Sequence, residues 1–382
     1  MSSMFSILIA GDLVPIGRVA NLLDEKRYSE VFGQVKRLTD ECDFCVVNLE
    51  APIVETNGCQ PIKKSGPNIK TNNSVIEALK YVGFDAVTLA NNHFRDYGNQ
   101  GCQETLHELV NNDIKYVGGG VNIKDAKRTM YHQFNCNRGG VIAIINCCEH
   151  EYSIADDFNS GANPLNPVQQ FYAIKEAKQT ADYVIVIVHG GIEGFPLPTP
   201  RMQEWYRFFI DCGADVVVNH HQHCYSGYEV YKGKPIFYGL GNFCFDRNLM
   251  KMDSWYEGYL LKLSFDEGRV TFNLIPYIQG KDKPSVEILT DTTLFHKEIK
   301  RLNSIISDKD ALSAEYRYYL DETVKSEKYI LCPYKNKYLA ALYVRGLLPG
   351  FLPTSRWRAL QNRINCESHR DRYLYYLRNK LK

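Results

Sequence analysis

Residues 211–243 read DCGADVVVNHHQHCYSGYEVYKGKPIFYGLGNF, and the order of residue types within them decides the fold. The stretch closes a helix-like segment, Arg201–Cys212, with Gly213 at its end, where glycine leaves a helix without a Cβ penalty. Val216–Val218 follows, a continuous apolar run suited to a strand buried on both faces. It ends in Asn219-His220-His221-Gln222-His223, and a second run, Ile236–Leu240, ends in Gly241-Asn242. Imidazoles clustered after a buried strand repel one another when charged and want a metal or a partner.

The same order recurs along the chain. Ser6–Ala10 ends in Gly11-Asp12, Phe44–Val47 in Asn48-Leu49-Glu50, and Ala86–Ala90 in Asn91-Asn92-His93 with Asp96 beyond. Tyr183–Val188 ends in His189-Gly190-Gly191 with Glu193 beyond. Helix-like segments such as Ser74–Val82, Gln103–Asn111 and Val168–Thr180 lie between the runs, so the pattern is α/β. In such sheets ligands bind at the carboxyl ends of the strands. Singly, Asp12 reads as a turn former, Glu50 as a solvated acid and His93 as a polar core residue. Jointly, Asp, Glu, Asn and His at five successive strand ends form a donor set suited to Mn, Zn or Fe.

The chain has 382 residues, 45 Lys+Arg and 44 Asp+Glu, a length for one large domain plus an extension and a balance that predicts no nucleic-acid partner. The balance is an average over unlike parts: residues 331–382 hold 11 basic and 2 acidic residues and many tyrosines. Such a tail suits a membrane surface or an anionic polymer, or a helical appendage on an acidic body. Ser6–Ala10 is too short and lacks the flanks of a signal peptide, no run approaches the roughly 18–20 apolar residues of a span, and the twelve cysteines show no disulfide framework. Cys42 and Cys45 read as buried thiols. The expectation is a cytoplasmic protein, with peripheral membrane contact at most. After about Lys281 the sequence turns to charged amphipathic helix, which places a boundary near residue 285. The domains are then 1–284 and a helical, basic 285–382, whose two helical pieces break at Leu347–Pro353.

The motifs GDLVPIGR, NLEAPI, LANNHFRDYG, VGGGVN, VHGGIE and the 211–243 stretch, in this order from Asp12 to Asp246, resemble the CapA family of capsule and poly-γ-glutamate synthesis proteins. That resemblance implies a metallophosphatase-like α/β sandwich with a helical C-terminal extension. It implies two divalent metal ions. Asp12 and His223 would hold the first, Asn92, His189 and His221 the second, and Glu50 would bridge both. His93 would serve as general acid, oriented by Asp96, while Arg18, Lys64, Glu193 and His220 would contact substrate. The implied function is a phosphoesterase-like hydrolase in capsule, exopolysaccharide or poly-γ-glutamate synthesis, acting on an acidic or phosphorylated polymer or glycan. A non-catalytic assembly or polymer-binding component is the alternative. Four positions depart from the family pattern. Val14 stands where metallophosphatases carry a histidine, Gly190 removes a tryptophan wall, and Asn219 and Gln222 replace Gly and Pro, which predicts a looser ligand loop.

Overall fold

Apolar runs too short for helices and too continuous for a half-exposed sheet become the central strands. The structure is a computed structural model describing residues 5–134, 139–247, 252–266, 268–330, 332–350 and 354–365, with 369, 373, 374, 376 and 377. The strands are β1 (Phe5–Val14), β2 (Phe44–Leu49), β3 (Ala86–Thr88), β4 (Lys115–Val117), β5 (Gly119–Gly120), β6 (Met130–Phe134), β7 (Gly140–Cys148) and β8 (Gly161–Ala162). They continue as β9 (Tyr183–His189), β10 (Val216–His220), β11 (Tyr228–Tyr231), β12 (Lys234–Phe237), β13 (Asn242–Phe245), β14 (Glu257–Asp266), β15 (Arg269–Gln279) and β16 (Val286–Ile288). Around them lie α1 (Gly17–Asp24), α2 (Tyr28–Thr39), α3 (Ser74–Val82), α4 (Gly98–Asn111), α5 (Ile123–Ala126), α6 (Pro167–Ala177), α7 (Pro200–Cys212) and α8 (Thr293–Ser307).

One sheet has the order β16-β15-β14-β1-β2-β3-β4, with β13 also paired to β1, and the other β11-β12-β10-β9-β7-β6. Within each, the strands that end in polar motifs run parallel: β1-β2-β3-β4 in the first, β7-β9-β10-β12 in the second. Long antiparallel β14 and β15 extend the first sheet beyond a plain βαβ pattern. Aromatic pairs bridge the sheets, Phe5 with Phe134 at 4.4 Å between ring centroids, Tyr183 with Phe265 at 4.8 Å and Phe237 with Phe272 at 5.0 Å. Each such ring contributes roughly 1.5–3 kcal/mol on burial. On the other face of the first sheet, Phe32 of α2 stacks on Phe243 at 5.6 Å within the cluster that includes Leu79 and Val82 of α3. This is the expected α/β sandwich, and it brings the carboxyl ends of both parallel sets together.

The compact units divide at Ser313/Ala314 rather than near residue 285. The reason is α8. Phe295, Ile299, Leu302 and Ile306 are buried, and Asn303 Oδ1 accepts the Tyr228 backbone N–H at 2.7 Å. The helix therefore belongs to residues 1–313 although its sequence reads as charged and amphipathic. Helix α9 (Lys309–Ile330) crosses the division. The second unit also holds α10 (Lys337–Val344), capped by Asn336, and α11 (Thr354–Asn365), on either side of the expected break. No described helix is long and apolar enough to cross a membrane.

Strand β1 carries the first constraint on the site. A Cβ at Gly11 would lie 1.9 Å from the Gly241 carbonyl oxygen, and the neighbouring Asp12 N–H donates to that same oxygen at 3.3 Å. Glycine thus lets β1 and the chain entering β13 close on each other beside Asp12. Gly11→Ala should cost about 2–4 kcal/mol, read as a lowered midpoint in urea unfolding, because backbone rather than a flexible side chain must move. An unchanged midpoint would contradict this account of the Gly-Asp motif.

Candidate metal centre

Residues from both sheets converge on one buried cluster. Asp12 lies in β1, Glu50 directly after β2 and Asn92 after β3, while His189 ends β9 and His221 and His223 follow β10. His221 and His223 stand at φ 90° and 54°, the left-handed region that disfavours a Cβ. Such backbone costs of order 1–3 kcal/mol per residue and persists where the surroundings over-determine it. Here the loop is held firmly. Asn219 Nδ2 donates to the carbonyls of Gly190 at 2.9 Å and Tyr238 at 3.1 Å, and its Oδ1 accepts the Tyr206 hydroxyl at 2.6 Å. Gln222 Nε2 donates to the carbonyls of Phe195 at 2.7 Å and Leu197 at 3.1 Å. The two replacements expected to loosen the loop instead brace it.

Around His189 Nε2 lie Asn92 Oδ1 at 3.0 Å, His221 Nδ1 at 3.0 Å and Glu50 Oε1 at 3.4 Å. Bonds of about 2.1 Å to one tetrahedral ion separate ligand atoms by about 3.4 Å, so this spacing suits a cation. His223 approaches the same Glu50 Oε1 at 3.9 Å through Nε2, and its Nδ1 comes to 3.6 Å of Asp12 Oδ2. Ligand atoms of Glu50, His189 and His221 lie within 4.8 Å of one another, and so do those of Asp12, Glu50 and His223. Both oxygens of Glu50, which is 0% exposed, lack a hydrogen-bond partner. A buried carboxylate without donors is costly unless a cation takes their place, so these residues fit a metal shared through Glu50.

The charges agree. Burial pushes the Glu50 carboxyl well above the usual range, and Asp12 beside it adds to the shift. Burial would also raise Asp12, but the His220 and His223 rings outweigh it and hold Asp12 well below the usual range. The two carboxyls are therefore unequal in the metal-free state: Asp12 is held toward its ionised form and Glu50 away from it. Burial holds His189 well below its ordinary value and lowers His221 to about 4, leaving both imidazoles neutral and ready to ligate. His223 is the exception: burial lowers it, but Asp12 outweighs that and holds it up.

Residues behind the ligands fix their orientation. Asn48 Nδ2 donates to Asp12 Oδ1 at 2.7 Å and reaches His189 Nδ1 at 3.2 Å. Asn242 Oδ1 sits 2.8 Å from His223 Nδ1, and Trp255 packs on the same ring at 4.9 Å. Partners of this kind set ligand tautomer and basicity. At the rim, Glu151 Oε1 lies 3.7 Å from His221 Nε2, and burial followed by Glu193 raises its carboxyl. Asn48 and Asn242 occupy strand ends whose pattern already marks the site. Trp255 and Glu151 carry no such signal.

Four residues expected to meet substrate are placed differently. Arg18 is tied to Asp246 at 2.7 Å and to the Gly280 carbonyl at 2.7 Å, so its guanidinium anchors α1 to the segment after β15. Lys64 is buried, paired with Asp96. His220 is buried behind Asp12, its Nδ1 3.3 Å from Asp12 Oδ1 but without hydrogen-bond alignment. Glu193 alone is exposed. The space expected from the missing tryptophan is filled: a Cβ at Gly190 would lie 2.8 Å from Glu149 Cγ, and Arg201 pairs with Glu149 at 2.6 Å. His93 and Asp96 are together, Nδ1 to Oδ2 at 2.6 Å, next to the ligand Asn92.

By fold and site, this is an α/β sandwich with a buried His, Asp and Glu donor set, able to hold a metal ion, at its joined strand ends. The chain belongs to the family of the bacterial capsule synthesis protein PGA_cap, whose pattern matches residues 6–247. It is 32% identical over 263 residues to the PGA biosynthesis protein CapA of Bacillus subtilis, spanning 68% of each chain. To the capsule biosynthesis protein CapA of Bacillus anthracis it is 29% identical over 304 residues, 77% of this chain and 73% of that one.

Asp12→Ala and His223→Ala should lose metal while keeping the fold. Elemental analysis beside circular dichroism decides it, and unfolding with metal retained would contradict the assignment. Because burial and Asp12 raise the Glu50 carboxyl, metal binding must draw it toward its ionised form. Titration calorimetry with Mn²⁺, in buffers of different ionisation heat, should show proton release that grows as the pH is lowered. Uptake without proton release would mean that Glu50 is already ionised.

Proposed function

We propose that the protein is a metal-dependent phosphoester hydrolase acting in capsule or poly-γ-glutamate synthesis. The observation that carries this reading is the unpartnered Glu50 carboxylate common to two ligand groups, one with His189 and His221 and one with Asp12 and His223, with His93 and its Asp96 partner alongside. Family membership supports the pathway. When bound, two divalent ions would polarise a phosphoryl oxygen and acidify a water. The chain's own residues would supply the remainder. Asp96 Oδ2 accepts the hydrogen bond from His93 Nδ1–H, so that the protonated ring gives its Nε2 proton to the departing oxygen and is left as the Nδ1–H tautomer. Asn48, Asn242 and His220 keep the ligating atoms of Asp12, His189 and His223 turned inward. The substrate class is an acidic or phosphorylated polymer or glycan, and residues 331–382 are proposed to meet a membrane surface or that polymer.

One feature favours a second reading, a non-catalytic polymer-binding or assembly component. Val14 leaves the first ligand group without the additional imidazole of metallophosphatases, and Glu151 and Glu193 make the rim acidic. An assay separates the two. Wild type with Mn²⁺ should cleave phenyl phosphate or its diester, and His93→Ala should lower the rate by roughly 10²-fold or more. Activity surviving His93→Ala together with His221→Ala would remove the proposed site. A metal-loaded wild type that cleaves neither ester would favour the binding component.

A further inference from the structure

Between β2 and α3 the chain makes an excursion, residues 51–73, that turns back on a single residue of the candidate centre, Asp96. Ile62 N–H donates to the Asp96 carbonyl at 2.9 Å, Asn68 Nδ2 to the same carbonyl at 3.1 Å, and Ile69 N–H to Asp96 Oδ2 at 2.7 Å. Of the adjacent Lys63 and Lys64, the first is exposed and the second turns inward. The Lys64 side chain is 3% exposed and ends on Asp96 Oδ1, while Asp96 itself is 0% exposed. Lysine is almost never buried this far unless paired, and burying an ion pair adds little net stability. The pair therefore calls for a role other than holding the fold.

We propose that Lys64 is a positioning residue for His93, fixing the Asp96 carboxylate so that His93 keeps its proton on Nδ1. The inference rests on the hydrolase reading only for its catalytic consequence. Asp96 is engaged from both sides: Oδ1 by Lys64, Oδ2 by His93 Nδ1 at 2.6 Å and by Ile69 N–H. Lys64 Nζ also lies 3.3 Å from His93 Nδ1. With the Nδ1 proton directed at Asp96, both of these nitrogens are donors, so it is the carboxylate that holds them side by side. With both oxygens occupied the carboxylate cannot swing, and the ring that donates to it is fixed in plane and tautomer. Without Lys64, Oδ1 becomes a buried anionic oxygen with no donor. Asp96 must then turn toward other groups, and its grip on Nδ1 loosens. Within the excursion, Ser65 Oγ bonds Tyr152 Oη at 2.8 Å, which ties the Lys64 segment to the chain after β7.

Two readouts test this. In full-length, metal-free protein with ¹⁵N-labelled histidine, long-range ¹H–¹⁵N spectra at one pH should show His93 as the Nδ1–H tautomer. Its signals are identified by their loss in His93→Ala. Lys64→Met should mix the two tautomers, and Lys64→Arg, which restores a cationic donor, should keep one. In Mn²⁺-loaded protein, Lys64→Met should lower kcat for phenyl phosphate about 10-fold more than for 4-nitrophenyl phosphate at similar KM, because the poorer leaving group depends more on the proton from His93. Lys64→Arg should regain most of that difference. If Lys64→Met does not fold, Lys64→Gln carries the same two readouts. A wild-type His93 tautomer in the Met or Gln variant overturns the proposal, as does an equal loss on both esters. If wild type cleaves neither ester, the hydrolase reading fails, and the tautomer spectra still decide the role of Lys64.

Discussion

A carboxylate buried with neither oxygen satisfied is among the least tolerable groups a protein interior can hold, and Glu50 is such a group. Nothing in the first sheet relieves it. Asp12, on the adjacent strand, worsens its position by charge. Relief comes from across the sandwich, where His189 and His223 bring imidazoles to within 3.4–3.9 Å of it or of Asp12, and His221 has a ring nitrogen within 4.8 Å of Glu50. Much of the rest of the structure follows from this constraint. The sheets must meet at their carboxyl ends, the ligand loop after β10 must accept left-handed backbone, and Gly11 must yield its side chain so that the strands can close.

The order in which these demands are met is visible in the hydrogen bonds. Asn219 and Gln222 belong to the ligand loop but bind no ligand. Each spends its amide on backbone carbonyls of neighbouring segments. They hold a backbone that its own φ angles disfavour, and a loop held this way presents imidazoles at fixed spacing before any ion arrives. Preorganisation of that sort is how a site gains affinity and geometric selectivity together.

Much of this was legible in the sequence, and what was not has a common cause. The buried parallel strands announce themselves as continuous Val and Ile runs, and their ends carry the chemistry, so Asp12, Glu50, Asn92, His189, His221 and His223 could be placed before any coordinates. The long cations could not. Arg18 looks like a surface base until Asp246, 228 positions away, takes it, and Lys64 until Asp96 does. Local sequence cannot show a partner that only folding supplies. Trp255 beside His223 was hidden for the same reason. Strands β14 and β15 lack the continuous apolar run, since β15 alternates exposed and half-buried residues over much of its length. Helix α8 reads as a linker-like charged helix because only one stripe of it is buried.

The placement of charge gives the centre a direction of assembly. Asp12 is held toward its ionised form and Glu50 away from it, His189 and His221 are neutral, and Glu151 and Glu193 stand at the rim. Lys64, the nearby buried cation, is already committed to Asp96. Among these residues the metal-free pocket is thus rich in carboxyl groups and offers no uncommitted lysine or arginine to an anionic polymer or phosphate group. Two divalent cations supply the positive charge that such side chains would bring. On the proposed function, cation uptake must precede the anionic substrate, and an acidic rim that looks unsuited to such a substrate instead draws in the metal that makes its binding favourable.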